Sequence, residues 1–288
     1  MKREKKGPQS YWERWASLRY DSIQDIEKQI LLPTGNARYR PQFVYTLVTE
    51  YLELILVKYS RGEKNSDLVL YFEPLIDAWE ESNRLGAEVF TLEQKVSRRR
   101  WNENLDHYVI CFWLVGLAII LNVSERSWSR LLLLVDNEGE DALLDRLIAT
   151  RQKDRLIGTA LCHSQPYALL LKALEAPKAQ QADLLYNFVD KWYSGLNREG
   201  TKSAPAAYRR PYWYTFGDEN FDGGAYFGRW CIEAAAIVKA FGLDDSLCLG
   251  HENYPGDLLR PDALTTLQIV KESPAKIKTS WFKRMFNF

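Results

Sequence analysis

Along this chain apolar residues recur at spacings of three and four, the period of amphipathic helices, and strand-like alternation is missing. Ser10 and Glu13 have the spacing of a capping box, which predicts a helix over 10–30 ended by Pro33 and Gly35. A second is predicted over 41–61, with Phe43, Leu47, Tyr51, Leu54 and Ile55 on one face and Gly62 as the stop. A third spans about 67–85, kinked or broken at Pro74 and closed by Gly86. Thr91 and Gln94 open a fourth, basic at Lys95, Arg98, Arg99 and Arg100, then apolar through 108–121. It reads as one long helix through the middle of the N-terminal half.

Shorter helices are expected over 125–135, 141–151, 167–175 and 178–193, joined by connections short enough to make neighbours antiparallel. Over 196–224 the period gives way to Gly, Ser, Pro and clustered aromatics, the pattern of a long loop, and such loops are often functional. A last helix is predicted over 225–241, with Phe227, Trp230, Ala234, Val238 and Phe241 on one face. Its run Ala234, Ala235, Ala236 permits close helix approach. The fold class is therefore all-α, an antiparallel bundle or stacked helical hairpins. Asp136, Asn137, Glu138 and Gly139 interrupt the apolar pattern and suggest two helical subdomains, 1–137 and 138–288.

Composition narrows the function classes. Hydrophobic residues make up 46% and charged residues 26% of the 288, while Lys plus Arg equals Asp plus Glu at 38 each. That balance favours neither direct nucleic-acid binding nor an acidic disordered tail, so electrostatic function has to come from local patches. Ten Trp and sixteen Tyr call for polar partners at their tips. Cys111, Cys162, Cys231 and Cys248 form no CxxC and read as free thiols. Polar residues after the basic start leave no room for a leader's apolar region, and the fourteen-residue run 108–121 falls short of the roughly 20 a membrane span needs. A cytoplasmic protein is expected. The basic tail from Lys276 to Arg284, with Trp281 and Phe282, reads as a loose or packed terminus rather than a membrane contact.

The catalytic inventory is thin. His107, His163 and His251 lack metal-ligand spacing, Cys162 and His163 point to different faces of a helix, and no nucleophile elbow, P-loop or dinucleotide fingerprint is present. Asp244 and Asp245 read as a helix-ending loop. No metal and no cofactor are expected. Glu233, on the apolar side of its expected helix, reads either as a buried carboxyl held by Arg229 or an aromatic hydroxyl, or as a general acid or base. A hydrolase would need Glu233, Asp257 and His251 to converge from separate segments.

Two acidic stretches suggest binding instead. Asp136, Glu138, Glu140, Asp141 and Asp145 lie together with no base among them, while Asp218, Glu219 and Asp222 accompany Tyr212, Trp213 and Tyr214 in the loop. Solvated turns, helix caps and loop packing would account for these residues. Carboxylates beside aromatic anchors also suit docking onto a basic protein cleft.

The run Tyr226-Phe227-Gly228-Arg229-Trp230-Cys231-Ile232-Glu233-Ala234-Ala235-Ala236, followed by Tyr254-Pro255-Gly256-Asp257-Leu258-Leu259, resembles the C-terminal domain of PoNi-type immunity proteins. The helices over about 10–130 look like that family's N-terminal domain. Gly256 departs from the family pattern, where an aromatic often stands. The resemblance implies an antitoxin that binds and neutralises a PoNe-type DNase, commonly delivered by an interbacterial secretion system such as type VI. It implies stoichiometric occlusion without catalysis. Tyr226, Trp230, Glu233, Tyr254, Pro255 and Asp257 read as residues that maintain the fold, and the loop's acids and aromatics as partner contacts. A helical adaptor that binds several proteins is the other class left open.

Overall fold

The structure, a computed structural model, describes residues 2–32, 35–200, 209–218 and 221–260. Among these residues it is all-α. The helices are α1 (Gln9–Ile30), α2 (Arg40–Arg61), a single turn α3 (Asn65–Leu68), α4 (Phe72–Val89), α5 (Leu92–Arg99), α6 (Leu105–Ile120), α7 (Glu125–Val135), α8 (Leu144–Ala149), α9 (Ser164–Glu175), α10 (Lys178–Gly195) and α11 (Ile232–Phe241). None of the described helices is long and apolar enough to cross a membrane.

Helix α6 is apolar around its whole circumference, and every residue but Asp106 is buried. A helix of that kind is stable only when covered on all sides. It passes through the middle of the whole molecule rather than of the N-terminal half: α11 crosses it where a Cβ on Gly116 would stand 2.8 Å from Ala236 Cβ. The alanine run thus permits the close approach expected of it. One continuous hydrophobic cluster joins α1 and α2 to α10 and α11. The four cysteines are free thiols, three of them buried.

Several boundaries differ from the sequence pattern, each for a local reason. Thr91 and Gln94 form the expected capping box, but α5 ends at Arg99; Trp101 is buried in the turn, and Asn104 caps α6 by accepting the His107 N–H. The expected single helix is therefore two. No capping box forms at Ser10 and Glu13, because α1 starts one residue earlier behind an extended Pro8. The break before α4 falls at 69–71, and Pro74 occupies the first turn of α4, where its missing N–H costs nothing. Gly86 lies inside α4, which ends at Val89. Only Leu144–Ala149 is helical within 141–151. Cys162 and His163 precede α9 rather than share a helix.

The largest correction concerns 225–231, which has no regular secondary structure and is not helical. Gly224 and Gly228 adopt φ of 77° and 103°, and side chains of distant helices take the carbonyls a helix would use. The Tyr11 hydroxyl donates to Tyr226 O at 2.9 Å and the Ser60 hydroxyl to Phe227 O at 2.9 Å. Phe227 and Trp230 reach the core from this strap, while α11 carries Ala234 and Val238 inward and leaves Phe241 37% exposed.

Candidate partner-binding surface

Between α7 and α8 the acidic stretch divides by depth. Asp141 is fully buried and accepts the Tyr108 hydroxyl at 3.1 Å and the N–H groups of Leu143, Leu144 and Cys162 at 2.7–2.9 Å. Asp145, also fully buried, pairs with Arg155 through Nε at 2.8 Å and Nη2 at 2.7 Å, and accepts the Asp141 N–H at 3.0 Å. Arg155 also donates to Asp136 O, 3.0 Å away. Charge-assisted bonds from both sides fix the two crossing segments, 136–145 and 155–158. They approach so closely that a Cβ on Gly158 would lie 2.4 Å from Asp141 N.

This buried frame turns Asp136, Glu138 and Glu140 outward. Beside them Leu156 is 68% and Ile157 47% exposed, and the Leu156 N–H donates to Glu138 Oε1 at 2.7 Å. The carboxylates of Asp136 and Glu140 have no cationic partner among the described residues. The result is a rigid acidic rim around two apolar side chains, the composition suited to a basic partner surface. Asp141, expected on such a surface, belongs to the frame beneath it. Leu156 and Ile157 were not legible as contacts; their one signal is an apolar pair outside any helical period, between Asp154-Arg155 and Gly158.

The aromatic loop is organised differently. Trp213 is buried, its ring stacked 5.0 Å from Trp113 and 6.0 Å from Trp192, so it is a core residue and not a surface anchor. Tyr212 lies partly exposed, and its hydroxyl donates to Glu53, which Arg19 also holds. Tyr214 stacks 4.4 Å from Tyr193, whose other neighbour is the Arg229 guanidinium at 4.2 Å. Asp218 is half-exposed but occupied: Arg229 donates to it, the Tyr193 hydroxyl lies 3.4 Å away and Lys6 3.9 Å. Asp222 is exposed, in a single 3-10 turn that does not start a helix. Glu219 and the basic tail lie outside the described residues.

The residues of the two C-terminal motifs are buried except Arg229 and Leu259, which are half-buried. The Tyr226 hydroxyl donates to Glu4 at 3.1 Å, the Trp230 indole to Ser60 Oγ at 2.8 Å, and the Tyr254 hydroxyl to Asp245 at 2.6 Å. Pro255 and Gly256 lead into a 3-10 turn, and Asp257 stands 3.2 Å from Arg3 Nε. Each motif thereby ties the C-terminal segment to the first residues of the chain or to α2. Glu233, the second residue of α11, accepts the Tyr167 hydroxyl at 2.8 Å and the Trp192 indole at 3.2 Å, while Oε2 accepts no hydrogen bond. Burial raises its pKa, and those donors oppose the rise without cancelling it. The aromatic hydroxyl is its partner; Arg229 turns to Asp218. Glu233 shares no cleft with Asp257 and His251, which line a separate shallow surface depression. No group of three or more His, Cys, Asp or Glu among the described residues could hold a metal ion.

Comparison with known proteins places this architecture. A crystal structure of protein PA2201 from Pseudomonas aeruginosa is similar in fold, with a TM-score of 0.63 over 87% of each chain at 19% identity. Among curated proteins none matches the sequence. A family model described as PoNe immunity protein (PoNi), N-terminal, matches residues 3–133, and one described as PoNe immunity proteins (PoNi), C-terminal, matches residues 139–258. With its two halves matched in order and its motif residues locking them together, the chain belongs to the PoNi family of immunity proteins.

Proposed function

We propose that this protein protects its host by binding a cognate DNase toxin one-to-one and covering the toxin's active site or DNA-binding surface, without catalysis and without a cofactor. Family membership supports the immunity role; the DNase partner, the cytoplasmic site of action and delivery by a type VI system are part of the proposal. The observation that carries the mechanism is the acidic rim of Asp136, Glu138 and Glu140 around Leu156 and Ile157, held rigid by the buried Asp141, Asp145 and Arg155. A nuclease must attract polyanionic DNA and presents cationic groups where DNA enters. Clustered carboxylates speed encounter with such a surface, and apolar side chains at the centre slow release. A frame already fixed before binding lowers the ordering cost. In the same reading Tyr212 and Asp222 of the aromatic loop are peripheral contacts.

The test is a pull-down of the tagged chain with the product of the neighbouring gene, followed by DNA-cleavage assays of that product. A one-to-one complex that abolishes cleavage is expected. A well-folded chain that leaves cleavage unchanged at stoichiometric excess overturns the proposal and returns the helical adaptor to first place.

A further inference from the structure

Helix α5 is unusual among the described helices longer than two turns: none of its eight residues is buried. It is held by its capping box, by Lys95 Nζ donating to Ala87 O at 2.9 Å, by Arg98 lying 4.3 Å over the Phe90 ring, and by the Asn137 side-chain amide donating to Arg99 O at 2.9 Å. Behind it, against α2, α4 and α6, runs a cleft of about 600 Å³ floored by Tyr45, Trp79 and Ile110. That volume is in the range of sites that bury a compact guest. Neither the Tyr45 hydroxyl nor the Trp79 indole N–H has a hydrogen-bond partner among the described residues.

The rim is positive and uncompensated. Arg19, Arg130, Arg155, Arg229 and Arg260 each contact a carboxylate. Lys95, Arg98 and Arg99 contact none among the described residues: Lys95 meets a carbonyl, Arg98 an amide and an aromatic ring, and the Arg99 side chain is exposed. The single acid in the lining, Asp106, accepts the Tyr212 N–H at 3.3 Å, and burial pushes its pKa up to about 7. Through Asn137 the rim is continuous with the acidic face. We infer that this cleft is a second docking site for the same toxin, taking an aromatic side chain flanked by acidic residues. This rests on the proposed function. The partner would then carry opposite charges at two neighbouring points, so that a protein matching only the acidic face is rejected.

Two peptides test the chemistry without the toxin: acetyl-GDWDG-amide and acetyl-GKWKG-amide, titrated into the ¹⁵N-labelled chain while the Trp79 indole signal is followed, assigned with Trp79→Phe. The acidic peptide is expected to shift that signal saturably and the basic one to leave it in place. Ser97→Trp, which fills the cleft from the exposed helix, and Lys95→Glu with Arg99→Glu should each abolish the shift. Equal or absent responses to the two peptides overturn the site. A second arm measures toxin affinity, where Ser97→Trp should weaken binding at least about tenfold. Unchanged toxin affinity beside a peptide response overturns the toxin as occupant. Failure of the wild-type chain to bind toxin, with the peptide response intact, overturns the proposed function and leaves the cleft's chemistry standing.

Discussion

The turn 136–145 and the loop 210–224 look alike as strings of acids beside hydrophobic groups, yet the fold uses them in opposite ways. In the turn, the buried acids Asp141 and Asp145 take the Arg155 guanidinium and most of the nearby N–H groups, while Asp136, Glu138 and Glu140 face outward. In the loop, Trp213 goes into the core and Asp218 is drawn onto Arg229 and Lys6. Charge density along a sequence therefore says little about charge on offer; what decides is whether a cation of the same chain reaches the carboxylate first.

The comparison can be broken most forcefully at the frame. Replacing Asp145 by Ala leaves Arg155 buried without its counter-ion, and urea unfolding should register a loss of about 3–5 kcal/mol. Trp213→Ala removes the middle ring of three stacked indoles and should cost about 3–5 kcal/mol in the same assay, whereas Tyr214→Ala, nearer the surface, should cost much less. If the two loop substitutions proved equal and mild, the loop would be a surface feature after all. Reversing Asp136, Glu138 and Glu140 to Lys should weaken toxin binding by at least about tenfold, chiefly through a slower association rate. It should cost less stability than Asp145→Ala, the losses being the Glu138 bond to the Leu156 N–H and the left-handed backbone at Asp136. Asp222→Lys should change either quantity least.

A pH titration sharpens the account of Glu233. Its pKa is raised in the folded chain by burial, so the folded state favours the neutral acid. Its contribution is fully present below the ordinary glutamate range and is lost as pH rises through the higher folded value. Its share of the stability should therefore decline with rising pH above that range, and Glu233→Gln should remove that share, while His107 and His163, which burial lowers to about 4, contribute in the opposite sense. Glu4 and Glu53, whose pKa values burial also raises, leave a residual slope. An unchanged slope in the variant would mean that Glu233 is ionised in the fold.

Much of the fold was legible because its determinants are local. Gly62 ends α2 in the left-handed conformation expected of it, Thr91 and Gln94 form their box, and the apolar run at 108–120 is the central buried helix. The candidate surface was legible only in part: the acids at 136–140 stand out in the sequence, but Leu156 and Ile157 join them only across a turn fixed by Arg155.

The sequence by itself determined an all-α chain, its helix periods, its free thiols and, through the two C-terminal motifs, its resemblance to an immunity family. Tertiary structure alone decided that 225–231 is not helical, since Tyr11 and Ser60 claim its carbonyls from more than 160 residues away. It alone decided which acids are buried and which exposed, and that α5 stands off the body above an open cleft. Helix period and caps are settled by neighbours three or four residues apart, while the fate of a carboxylate depends on which distant cation or N–H the packed chain brings to it.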